Sequence, residues 1–130
     1  MAVGLASGVA NSILDSLARA VSWTPPAAFC VKLHIGDPGA AGASNVAGNT
    51  TRVAVTCSAA SAGGITNSAD INWTNVNTAE TYSHVSFWSA TSAGTFLGSD
   101  DLAVARLVAI GDNFTISAGS LTLALTPLAA

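Results

Sequence analysis

Two histidines, seven acidic residues and two cysteines are the chain's whole stock of acid, base and metal-ligating side chains. His34 stands three residues before Asp37, and Glu80 stands four before His84. Either pair offers a metal one imidazole and one carboxylate, but four-residue spacing brings two ligands to one face only within a helix. Neither segment reads as helical. No metal site is therefore expected, and both imidazoles are expected on partly exposed strand faces, meeting backbone or water. Asp100 and Asp101 are the only adjacent acids. The spaced Asp/Asn ligands and closing Glu of a calcium loop are missing around them. A glycosidase pair needs a second carboxylate at a set distance, so a polar turn between strands is the expectation there. Nor does the chain hold a Gly-x-Ser-x-Gly elbow or a motif joining nucleophile, base and orienting group. The reading is a protein without catalytic residues, without cofactor and without metal, and not an enzyme.

Composition narrows the partners. Hydrophobic residues make up 50% of the 130 and charged ones only 8%, against about 25% charged in an ordinary soluble domain. With four cationic side chains and a net charge of -3, no basic footprint exists for holding phosphates, so nucleic acid is not an expected partner. Mean hydropathy is +0.52, yet Ser, Thr, Asn and Gly interrupt every apolar stretch before it nears the ~20 residues a bilayer span requires. No membrane association is expected. The first 18 residues carry no Lys or Arg, unlike the basic start of an export signal. Synthesis in the host bacterial cytoplasm without export by that route follows as the expectation, and Cys30 and Cys57 are read as free thiols.

The elements that must position these residues change character along the chain. From Ser7 to Val21 the apolar residues Val9, Ile13, Leu14, Leu17 and Val21 fall at helical spacing, with Ser7 or Asn11 placed to cap the start. Trp23-Thr24-Pro25-Pro26 closes this stretch, because a residue before proline leaves the helical region and prolines donate no ladder bond. The period then becomes two: Phe29, Val31, Leu33 and Ile35 alternate with Cys30, Lys32 and His34. Gly36-Asp37-Pro38-Gly39 marks a turn with positive φ at Gly39. The Ala/Gly/Ser/Asn run to Thr50 is long enough to be a functional surface loop or to pack on a neighbouring subunit.

Further strands are read around Val53–Val55, Ile71–Trp73, Val85–Trp88, Thr95–Leu97, Ala103–Val108, Phe114–Ile116 and Leu121–Leu125, with breaks at Gly63-Gly64 and from Asn75 to Thr81. The fold class is mainly β, an antiparallel β-sandwich of jelly-roll type with a short N-terminal amphipathic helix. Residues 1–24 form the helix and hinge, and residues 25–130 a single sandwich domain. A helix stripe without an evident partner inside a small sandwich can pack on another subunit. The candidate assembly surface is accordingly Ile13, Leu14, Leu17, Val21 and Trp23. Tyr82, His84 and Trp88 are placed together on the second face of their strand.

The order of segments carries a resemblance. Ile13-Leu14-Asp15, Thr24-Pro25-Pro26, the run from Val31 to Gly42, Thr51-Arg52, Trp73-Thr74-Asn75-Val76, the run from Glu80 to Trp88 and Gly94-Thr95-Phe96-Leu97-Gly98 follow one another in this order. In this the chain resembles a family of small virion proteins of tailed phages of actinobacteria, labelled tail fibre or minor tail proteins; similar small β-rich proteins decorate phage heads. The resemblance implies a non-enzymatic virion structural protein. The leading expectation is a decoration protein on the outside of the capsid, bound to the major capsid protein. The alternative is a tail fibre or minor tail protein bound to tail proteins, and a carbohydrate-binding module is the remote one. A homo-oligomer is expected, with a trimer as one arrangement.

Overall fold

The computed structural model describes residues 4–124. Nine strands and one helix follow in the order β1 (Gly4–Leu5), α1 (Ser7–Arg19), β2 (Cys30–His34), β3 (Val53–Ala54), β4 (Gly64–Thr66), β5 (Ile71–Trp73), β6 (Glu80–Trp88), β7 (Phe96–Val108), β8 (Phe114–Ile116) and β9 (Thr122–Ala124). The chain is thus mainly β with one short helix. A five-stranded sheet runs β1-β7-β6-β2-β3, and two ribbons, β4–β9 and β5–β8, complete the strand set. Every ladder is antiparallel.

The core lies between the large sheet and the β5–β8 ribbon. Alternation in β2 and β6 sends Val31, Leu33, Val85 and Phe87 to it, and Ile71, Trp73, Phe114 and Ile116 meet them from the ribbon. Trp73 and Tyr82 both pack on Phe114, with ring centroids 5.7 and 5.2 Å apart. Trp73 also donates its indole N–H to the Thr51 carbonyl at 2.9 Å, so its one polar atom is satisfied on burial. Each large side chain buried this way contributes about 1.5–3 kcal/mol of hydrophobic stabilisation.

Several expectations need correction. Asp100 and Asp101 do not form a turn; they lie inside β7, paired with Val85 and His84. Cross-strand pairing with the long β6 outweighs the low strand propensity of aspartate, and the Asp101 N–H is met by the Asp100 carboxylate. β6 begins at Glu80, within the stretch read as a turn. Gly63-Gly64 does not simply break the chain, because Ala62 and Gly63, at φ 52° and 79°, form a tight turn that leads into β4. Ser61 and Gly64 close it with reciprocal backbone bonds of 2.8 and 2.9 Å, the geometry of a hairpin turn with two positive φ values. Gly39 does take a positive φ, 75°, and its N–H is bound by the Asp37 carboxylate at 2.9 Å.

The helix also ends differently. Ala6 occupies the cap position with no side-chain cap, and neither Ser7 nor Asn11 fills that role. Ala20 in the left-handed region (φ 55°) terminates it, with a backbone N–H bond back to the Asp15 carbonyl, before the prolines are reached. β1, absent from the strands read in the sequence, ties the N-terminal end of the helix to the sheet through Gly4↔Ser99 and Leu5↔Gly98.

Candidate functional site

The proposed helix surface is split by the structure. Val9 and Ile13, one turn apart, face inward and line an apolar groove of about 270 Å³ with Leu5, Phe29, Ile65 and Leu123. Leu14, Leu17 and Val21 face outward, Leu14 60% and Leu17 81% exposed. Trp23 is also partly open and borders the groove. The five residues therefore do not form one face: Ile13 docks α1 on its own domain, and the outer three remain uncovered.

A second cluster joins the histidine that the spacing had singled out. His34 is fully buried, not half-exposed on a strand face. The reason is the Gly36–Val46 loop, which folds back on its own sheet. Ile35 N–H bonds the Asn45 carbonyl at 2.9 Å, and His34 forms a bridge with Val46. The His34 Nδ1 lies 2.8 Å from the Ser44 carbonyl, which only accepts, so Nδ1 carries the proton. Nε2 then accepts from the Ser86 hydroxyl at 2.8 Å. The Ser86 Oγ in turn accepts the Trp88 indole N–H at 2.7 Å. Burial holds the His34 pKa below the ordinary imidazole value, partly countered by the Ser44 carbonyl.

Serine, imidazole and an orienting acceptor are the parts of a nucleophile-base pair. Here Ser86 and His34 are both 0% exposed, so the pair links β2, β6 and the loop and offers no atom to a substrate. Trp88 carries the network to the surface. The Arg52 guanidinium lies 3.9 Å from its ring centroid and donates to the Ala90 and Ala93 carbonyls. Phe96 also packs against Trp88, tilted, with ring centroids 5.5 Å apart.

His84 does not share the cluster; its Nδ1 sits 2.9 Å from the Ser83 hydroxyl. The stripe of Tyr82, His84 and Trp88 is broken by a bulge between Tyr82 and His84 that turns Tyr82 into the core. Glu80, read as a partner for His84, instead clasps the loop: its carboxylate accepts the Gly48 N–H at 2.8 and 3.0 Å and the Asn49 N–H at 3.4 Å. Asp37 binds Gly39 rather than His34. Among the described residues no group of three His, Cys, Asp or Glu is placed to hold a metal ion. Cys30 is buried and Cys57 exposed, both as free thiols. No helix among the described residues is long and apolar enough to cross a membrane.

One surface was not singled out in the sequence at all. The second half of β7 leaves Val104 78% and Leu107 74% exposed, and Ile110 just beyond it is similarly open. Its signal was present in Asp-Asp-Leu-Ala-Val-Ala-Arg-Leu-Val, an apolar strand on which both parities are apolar. Such a pattern does not tell a buried strand from an open edge.

The chain matches the family described as Podophage GP4 fiber I protein gp80 over residues 4–124. It belongs to that family. No curated protein matches it. The match places the chain among phage fibre proteins of the virion, as the resemblance implied, but carries nothing of an actinobacterial host. It favours the fibre alternative over capsid decoration.

Proposed function

We propose that the protein is a non-enzymatic structural component of a phage tail fibre, bound to other tail proteins and to further copies of itself. Membership of a fibre family across residues 4–124 is the observation that carries this reading. Two features agree with it. The polar residues best placed for chemistry, Ser86 and His34, are spent on internal bonding. The exposed apolar residues of α1 and β7 lie on a chain with little charge, and such surfaces suit permanent contacts made by burial and hydrogen bonding more than ion pairing.

Quantitative gels of separated heads and tails test the location. The expected result is a band that follows the tails in a few to a few dozen copies per virion. A band in the hundreds of copies that stays on tailless heads would overturn it and reinstate capsid decoration.

A further inference from the structure

The free edge of β7 has unusual chemistry for an edge. β1 pairs with β7 only at Gly98 and Ser99, and beyond Ser99 no strand among the described residues pairs with that side. On the inner side the register with β6 steps from His84↔Asp101 to Tyr82↔Arg106. Leu102, Ala103, Val104 and Ala105 thus oppose Ser83 alone and have no ladder partner on β6, although Leu102 still packs against the core. Exposed strand edges are ordinarily guarded by charged side chains, Pro, bulges or covering segments, because their unpaired N–H and C=O groups template pairing with another chain. In Asp100–Arg106 the charges Asp100, Asp101 and Arg106 stand at the two ends, and the centre between them is apolar, with Val104 78% exposed.

Its residues are also arranged symmetrically. Two copies of one edge that pair in an antiparallel ladder are related by a two-fold axis perpendicular to the sheet, which keeps each side chain on its own face. Residues directly opposite must then share parity. Centred on Ala103, this register sets Asp100 opposite Arg106 of the partner subunit, Asp101 opposite Ala105 of the partner subunit and Leu102 opposite Val104 of the partner subunit. Opposite charges meet twice, apolar residues meet twice, and the smallest side chain lies on the axis. Among the described residues neither Asp100 nor Arg106 has an ion-pair partner, and the ion pair present is Arg19–Asp15.

We propose that the segment Asp100–Arg106 of β7 pairs antiparallel with the same segment of a second copy, continuing the five-stranded sheet across a two-fold interface. Its charge complementarity is with itself, which is why a second copy rather than a foreign strand is the occupant. In the single chain, burial and the neighbouring Asp101 raise the Asp100 pKa, a penalty that a facing guanidinium relieves.

The test uses the full chain, sized by light scattering after chromatography, with circular dichroism to check folding. Wild type is expected as a dimer. Arg106→Glu, at an exposed position, is expected to weaken it by about tenfold or more, since two attractive cross-strand pairs become repulsive. Asp100→Arg added to it should restore the dimer. Ala103 alone meets itself in this register, at a Cα separation of about 4.5–5.5 Å that a disulfide spans. With Cys57 replaced by Ser, Ala103→Cys should therefore form an interchain disulfide on mild oxidation and Leu107→Cys should not. A monomeric wild type, a dimer indifferent to Arg106→Glu, or equal cross-linking at 103 and 107 would overturn the proposal. If the charge variants fail to fold, the cysteine pair decides.

Discussion

Strand β2 and helix α1 both read clearly as amphipathic, and they meet opposite fates. β2 buries four of its five residues, whereas none of the thirteen in α1 is buried. β2 is laddered to β6 on one side and β3 on the other. The β5–β8 ribbon covers one of its faces, and the loop held by His34 covers the other. α1 is attached by the two-residue ladder of β1, by the Ala6 N–H bond to the Leu97 carbonyl and by Val9 and Ile13. Periodicity identifies which face of an element is apolar; elements distant in sequence decide whether that face is covered.

The largest effect should come from the covered side. Trp73→Ala removes a side chain that is 2% exposed and packs on Phe114, together with its bond to Thr51. A loss of about 3–5 kcal/mol is expected, a large share of the roughly 5–15 kcal/mol that stabilises an ordinary domain. Urea titration followed by fluorescence measures it. A loss under about 1 kcal/mol would mean that the ribbon is not the second layer of the core.

Two glycines sharpen the contrast at the next level. Gly42 adopts φ 68°, and a Cβ there would lie 2.5 Å from the Phe96 ring and 3.1 Å from Trp88. Gly42→Ala should cost on the order of 1–3 kcal/mol through backbone strain and overpacking. Gly8 in α1 has nothing within 4 Å of the same added atom. Gly8→Ala should stabilise by about 0.5–1 kcal/mol, the helix preference for alanine. Thermal melts of the two variants should move in opposite directions, and a shared direction would erase the distinction between the regions.

The same contrast explains how far the sequence could be read. Alternation at Phe29–Ile35 and Ile71–Trp73 and the Asp37-Pro38-Gly39 turn were legible, because local chemistry and tertiary pairing agree there. The inner half of the helix stripe, Ile13, was legible as apolar but not as docked, since the groove that receives it is built from β1, β4 and β9. The continuity of β7 through Asp100-Asp101 was hidden because it depends on β6 lying alongside. His34 was legible as a candidate ligand, but its burial depends on a loop closing over it, which spacing does not encode. Tyr82 shows the limit most plainly. One bulge reverses its face, and its hydroxyl is left buried without a hydrogen-bond partner, the nearby Asn49 not meeting it in bonding geometry.

His34 makes the covered region sensitive to acid. Its pKa in the folded chain is below the ordinary value of 6.5, chiefly through burial. As pH falls below 6.5 the unfolded chain takes up the proton first, so stability is full above this value and declines below it. The slope for one group is at most about 1.4 kcal/mol per pH unit. Asp100, with its pKa raised above 3.8 by burial, acts in the opposite sense at lower pH, because there the folded chain keeps its proton longer. Urea midpoints at pH 7 and 5.5 should fall for wild type and stay nearly level for His34→Gln. A wild type with no decline over that interval would show that the loop opens and hydrates the imidazole.

The smallest effect separates two neighbouring faces of one helix. Leu17 is 81% exposed, so Leu17→Asp should change the stability of the isolated chain by no more than about 0.5 kcal/mol. Ile13, one turn earlier, lines the apolar groove. Ile13→Asp should cost roughly 1–3 kcal/mol, because a carboxylate there loses water without gaining a partner. Equal losses would mean that α1 is rotated and that its outer stripe is covered after all. With unequal losses, incorporation into virions becomes the decisive measurement. Leu17→Asp then leaves the domain intact while placing a charge on the uncovered face, so its absence from assembled particles assigns that face to assembly, and normal incorporation leaves the β7 edge as the surface through which copies meet.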